Sequence, residues 1–227
     1  ICFVKLGNIG SAPLIEFLLD ERAEREDIDV RVFGSGAKLG VEQAEEVASR
    51  AVEAGSDLII LTSPNAALPG PSKAIEILSG SGKPLIVVSD SPAKKIVEDL
   101  EKKGIGYIIV EADSMLGARR EFLDPVEMAL FNSDLIRVLA VTGAFNIIYR
   151  EIDGVIDSIK KGEEPELPKM IIDAETAVSA ANFSNPYAKS KALAAFEIAK
   201  SVAKITTKAC FVVKEWERYT QMCSWAH

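Results

Sequence analysis

Apolar residues follow two rhythms along this chain, and the change between them organises it. Through residue 110, short unbroken apolar runs alternate with stretches of helical period. The runs Ile1–Leu6, Val30–Phe33, Leu58–Leu61, Leu85–Val88 and Tyr107–Val110 are rich in Ile and Val, broken by charge only at Lys5 and Arg31. Strands read this way when both their faces are covered. Between them, Ala12–Leu19, Val41–Ala54, Ser72–Leu78 and Ala93–Lys102 are predicted helices. Five such strand–helix repeats predict an α/β fold: a doubly wound, mainly parallel sheet of five or six strands with right-handed crossovers.

Beyond Val110 no regular strand pattern recurs, and a helical region is expected to the C-terminus. Asp124–Lys160 reads as helix with a break near Thr142-Gly143, and Glu163–Pro168 as an acidic, proline-bearing connector. A short helix is expected over Asp173–Ala181. A long one follows over Pro186–Ala203, opened by Asn185 as cap and by proline at the first position. Ala188, Ala192, Ala195, Ala199 and Ala203 make a stripe on it that permits close helix–helix approach. Such a stripe is a packing face, and a subunit contact is one form that packing takes. Trp216–His227 reads as helix with no stop signal, so the chain is expected to continue.

Ligands of doubly wound sheets bind beyond the carboxyl ends of the strands. Here those ends read Gly7-Asn8-Ile9-Gly10-Ser11, Gly34-Ser35-Gly36-Ala37-Lys38, Thr62-Ser63-Pro64-Asn65, Ser89-Asp90-Ser91-Pro92 and Glu111-Ala112-Asp113-Ser114. The third continues through Pro69, Gly70 and Pro71 into Ser72. Turn composition alone accounts for any single loop. Five on one edge, with a long third loop, favour a shared cleft. The first resembles a glycine turn feeding a helix N-terminus, where backbone approaches an anionic ligand closely. It lacks the third glycine of a dinucleotide fingerprint, and the second strand ends without an acid to hold a ribose.

Composition narrows the chemistry. A net charge of −8 and a pI near 4.9 argue against nucleic acid or an anionic membrane as partner. No run approaches a membrane span in length free of charge. The cysteines Cys2, Cys210 and Cys223 are scattered, and the single histidine is His227. That predicts neither a disulfide framework nor a Cys/His metal site, and fits a reducing, cytoplasmic setting.

Four segments carry a resemblance. Lys5-Leu6-Gly7-Asn8-Ile9-Gly10, Leu19-Asp20-Glu21-Arg22-Ala23, Pro64-Asn65-Ala66-Ala67-Leu68-Pro69-Gly70-Pro71-Ser72-Lys73 and the run from Met115 through Gly117-Ala118-Arg119-Arg120-Glu121-Phe122-Leu123-Asp124-Pro125 to Ala129 resemble the deazaflavin-dependent methylenetetrahydromethanopterin dehydrogenases of archaea. The likeness covers the whole chain. It implies reversible hydride transfer between the methylene carbon of methylenetetrahydromethanopterin and carbon 5 of coenzyme F420, an 8-hydroxy-5-deazaflavin, in archaeal one-carbon metabolism and methanogenesis. It implies F420 as cosubstrate, no metal, no flavin and no NAD(P), and a homohexamer built as a trimer of dimers. Transfer between two bound molecules needs their reacting carbons held about 3–3.5 Å apart. It needs neither nucleophile nor metal, which suits a chain almost without histidine.

Under this resemblance, residues 1–115 form an α/β cofactor-binding unit, and 116–227 a helical region for the substrate cleft and oligomerisation. Gly7, Asn8, Gly10 and Ser11 are expected beside the deazaflavin or its phosphate-bearing tail, with Gly34, Ser35 and Gly36 as a second glycine loop. Ser63, Pro64 and Asn65 are expected to face the ring, Pro69 and Gly70 to shape the wall, and Asp90 to accept a hydrogen bond from a cofactor N–H or hydroxyl. A carboxylate accepts two adjacent N–H groups of a pterin edge together. Asp113, Asp124, Glu127 and Asp134 are the candidates. Arg119 and Arg120 are expected to pair with an acidic ligand tail. Catalysis is expected from ligand positioning alone. A plain turn, cap or surface ion pair is the competing role for each residue. A flavodoxin-like or nicotinamide-binding α/β module is the competing class.

Overall fold

The computed structural model describes residues 1–20, 26–117, 124–213, 221, 222 and 225. The six strands β1 (Cys2–Lys5), β2 (Arg31–Gly34), β3 (Ile59–Ser63), β4 (Leu85–Asp90), β5 (Gly106–Val110) and β6 (Lys169–Ile172) form one sheet in the order β2-β1-β3-β4-β5-β6. Every neighbouring pair is parallel. The α/β expectation therefore holds, with six strands. The reading that no strand follows Val110 is corrected by β6, which follows the acidic connector and pairs with β5.

Alternation along each strand sends side chains to two separate cores. Phe3, Ile60, Ile86, Val88, Ile108 and Val110 face one. Cys2, Val4, Ile59, Leu61, Val87 and Ile109 face the other. The second face is covered by α2 (Val41–Ala54), α3 (Pro69–Ser79) and α4 (Val97–Lys102), the last reached through a 3₁₀ turn over Ser91–Ile96. Among the described residues, α1 (Ser11–Leu19) is the helix of the first half that covers the first face. The helical region supplies the rest: α5 (Pro125–Thr142), α6 (Ala144–Lys160), α7 (Ala174–Ala180) and α8 (Pro186–Thr207).

Leu139, Ile148, Ile152, Ala177, Phe196 and Ala199 thus join the same core as Phe3 and Ile15. The break between α5 and α6 falls at Gly143, whose φ is +98°. Of the alanine stripe, Ala192, Ala199 and Ala203 are buried within this chain. Among the described residues no single helix is long and apolar enough to cross a membrane. The pair α5 and α6 qualifies only as a span bent by 71°.

Phe196 sits on α8 with no exposed surface, inside the core shared by both halves. Phe196→Ala should therefore lower the unfolding free energy by about 3–5 kcal/mol, the usual cost of truncating a core phenylalanine. Urea unfolding followed by circular dichroism measures it. A loss below about 1 kcal/mol would contradict the packing of the helical region against the sheet.

Candidate active site

Strand order reverses between β1 and β3, and the loops leaving these strands and β2 flank the position at the carboxyl edge where sheets of this kind form their ligand crevice. The loops are locked together. Gly7 has a φ of +79°, and its N–H donates to the Gly36 carbonyl at 3.0 Å. A Cβ on Gly7 would lie 2.9 Å from Pro64 Cδ and 3.1 Å from Leu39 Cδ2. Gly70, in the first turn of α3, is pressed against the Leu39 and Gly40 carbonyls, and a Cβ there would come within 2.8 Å of the latter. These glycines serve the contact between loops: Gly7 meets Pro64 and Leu39, and Gly70 meets Leu39 and Gly40.

Gly34 ends β2 beside Lys5, and Ser35 Oγ closes its own loop on the Lys38 carbonyl at 2.6 Å. Gly36 has a φ of +61° with open space beyond its Cα. On the other side of the crevice, Asn65 Oδ1 accepts from the Ala67 N–H at 3.1 Å. Ser89 Oγ donates to the Ser63 carbonyl at 2.6 Å and accepts from the Ala66 N–H at 3.1 Å. Pro69 opens α3 and is exposed. Its ring sets φ for the first turn, where no N–H is needed.

The ends of β4 and β5 hold three acids inside the protein. Asp113 is fully buried and reaches across to the start of α1. Its Oδ1 accepts from the Ser11 N–H at 2.9 Å and its Oδ2 pairs with the Ser11 hydroxyl. Gly10 has no side chain with which to cap α1, and Asp113 supplies the cap instead, also accepting from the Gly10 N–H. Burial pushes Asp113 up to about 6, while these hydrogen bonds oppose the rise. The same junction is held by an antiparallel bridge between Ile9 and Met115, with the Leu116 N–H donating to the Asn8 carbonyl at 3.0 Å.

Glu111 is buried between two cations. Lys94 pairs with Oε1, and Lys200 of α8 lies 2.5 Å from Oε2. Burial alone would raise Glu111, but hydrogen bonds and charge from Lys200 and Lys94 hold it below the usual carboxylate range. Asp90 has 2% of its surface exposed, and its Oδ1 accepts from the Ser91 N–H at 2.6 Å. Burial pushes it up to about 8, the Ser91 hydrogen bonds opposing and the charges of Asp113 and Glu111 adding.

The other predicted acids lie elsewhere. Asp124 caps α5, accepting from the Val126 N–H at 2.6 Å. Glu127 is exposed in the first turn, and Asp134 pairs with Arg137 at 3.3 Å on the surface. None of these three shares the interior position of Asp113. Arg119 and Arg120 lie outside the described residues. Among the described residues no group of three or more His, Cys, Asp or Glu is placed to hold a metal.

Clefts of about 810 Å³, beside Lys83, Gly104 and Pro168, and about 250 Å³, beside Asp57 and Lys160, open at the opposite, amino edge of the sheet. They hold none of the glycine loops or buried acids, so the carboxyl edge is the candidate site. Sequence reasoning missed the Leu39–Gly40 wedge and the Lys200 partner of Glu111. Both contacts join distant segments, and neither leaves a local motif.

Comparison with known proteins places this chain. Residues 1–227 match the family model for methylene-5,6,7,8-tetrahydromethanopterin dehydrogenase. The F420-dependent methylenetetrahydromethanopterin dehydrogenase of Archaeoglobus fulgidus is 57% identical over 224 residues, covering 99% of this chain and 81% of the relative. That of Methanocaldococcus jannaschii is 53% identical, covering 100% and 82%. A solved F420-dependent methylene-tetrahydromethanopterin dehydrogenase, in complex with methylene-tetrahydromethanopterin and coenzyme F420, superposes with a TM-score of 0.90. It is 44% identical, with 100% of this chain and 82% of that one covered. With its full length matched and its fold shared, this chain belongs to the methylene-5,6,7,8-tetrahydromethanopterin dehydrogenase family.

Proposed function

We propose that the protein transfers a hydride between methylenetetrahydromethanopterin and coenzyme F420, with both ligands held in the carboxyl-edge crevice. The observation that carries this is the interlocked crevice of Gly7, Pro64 and Gly70 at the strand-order reversal, in a chain of this family. When bound, the deazaflavin supplies carbon 5 as hydride acceptor. The chain supplies position. The locked loops fix the wall, and open space beyond Gly36 lets a ligand approach the backbone. Gly34, Ser35, Ser63, Asn65, Pro69 and Asn8 line the same edge and are assigned to the cofactor side.

For the pterin we assign Asp124, Glu127 and Asp134, exposed along α5, together with Arg119 and Arg120. Asp113 is assigned to the cap of α1, a structural role, since both its oxygens are engaged there. The division of labour we propose has residues 1–115 hold the cofactor while 116–227 complete the pterin cleft. The assembly we propose is a homohexamer, a trimer of dimers, as the resemblance implies.

Cofactor choice tests the reading first. Adding methylenetetrahydromethanopterin should bleach the deazaflavin band reversibly, with no reduction of NAD or NADP. Robust NADP reduction without deazaflavin would reject it. Asp113 tests the assignment of acids. Asp113→Ala takes the acceptor from the buried Ser11 N–H and hydroxyl, while the Gly10 N–H keeps the Ser114 carbonyl, and should cost about 1–3 kcal/mol in urea unfolding. Unchanged stability combined with lost pterin affinity would return Asp113 to the substrate.

A further inference from the structure

Of the three interior acids, Asp90 alone has neither a lysine nor the start of a long helix beside it: it caps the 3₁₀ turn over Ser91–Ile96, accepting from the Ser91 N–H at 2.6 Å. Strand alternation puts Ile86, Val88 and Asp90 on the face of β4 that looks toward α1, α6 and α8. On β3, Ile60 and Thr62 share that face, and Thr62 stands beside Val88 in the register. Thr62 is fully buried, and its hydroxyl has no hydrogen-bond partner among the described residues. Asp90 and Thr62 therefore mark a polar spot at the β3–β4 strand ends, where the Thr62 hydroxyl lacks a partner among the described residues.

The charged groups around that spot are committed elsewhere. Lys94 from the 3₁₀ turn and Lys200 from α8 both pair with Glu111. Lys5 of β1 pairs with Glu16 of α1 at 2.6 Å. Asp113 is taken by Ser11 and Gly10. Ser91 gives Asp90 its backbone N–H and its hydroxyl. A buried carboxylate with no cation beside it is costly, and such a group keeps its proton. A protonated carboxyl then carries an O–H that needs an acceptor.

We propose that Asp90 meets the deazaflavin as a neutral carboxylic acid, donating its O–H to a ring carbonyl or ring nitrogen. This rests on the proposed function, and it reverses the direction of the hydrogen bond expected from sequence. The pocket is of the kind that keeps an acid neutral so that it can donate. Burial, with Asp113 and Glu111 adding, holds Asp90 up to about 8. The donor form therefore fills below that pH and is lost above it.

Two readouts test this. In difference infrared spectra of the ligand-free protein, raising the pH from about 6 to about 10 should remove a protonated-carboxyl C=O band, absent from Asp90→Asn. In fluorescence titrations, deazaflavin affinity of the unmutated protein should fall roughly tenfold across the same range. Asp90→Asn keeps an N–H donor. It should bind a few-fold more weakly at the low end and lose nothing further as pH rises, while Asp90→Ala should be about tenfold weaker throughout. Absence of the band, affinity independent of pH, or equal losses in the two variants would each overturn the proposal. Failure of the unmutated protein to bind deazaflavin at any pH would instead overturn the functional reading beneath it.

Discussion

Six parallel strands create two apolar faces, and the chain must cover both. The crossover helices α2, α3 and α4 cover one. On the other, α1 stands alone until α5 to α8 pack beside it. That constraint gives the helical region its place: Leu139, Ile148, Ala177 and Phe196 are core residues of the sheet rather than of a separate body. It also brings α8 to the carboxyl edge, where Lys200 meets Glu111.

The same packing explains why acids lie inside the protein at this edge. Burial raises Asp90 and Asp113, and each environment answers differently. Asp113 is answered by the N–H groups that open α1, and Glu111 by two lysines. Asp90 is answered by hydrogen bonds from Ser91, against the charges of Asp113 and Glu111. Local structure thus separates two acids tied to a helix start or to lysines from one that only caps a 3₁₀ turn.

Much of the fold was legible because buried parallel strands read as continuous apolar runs, as β1, β3, β4 and β5 do, while β2 was read although it is an exposed edge strand. β6 escaped because it is short, follows a proline-bearing connector, and stands among helices, outside the strand–helix alternation that marked the equally short edge strand β2. In the site, Gly7 and Gly70 were legible as glycines that a close approach requires. What approaches them was not, since Leu39 and Gly40 belong to another loop. Asp113 was legible as an acid at a strand end. Its partner Ser11 stands 102 residues away, a distance across which residue spacing carries no signal.

The central claim is that both ligands occupy the carboxyl edge at the β1–β3 reversal. Amide hydrogen exchange, with and without coenzyme F420 and the pterin, tests it most directly. The account predicts protection in residues 7–11, 34–40 and 63–70 on adding ligands. Protection confined to residues 82–85, 103–105 and 164–170, around the amino-edge cleft, would contradict it.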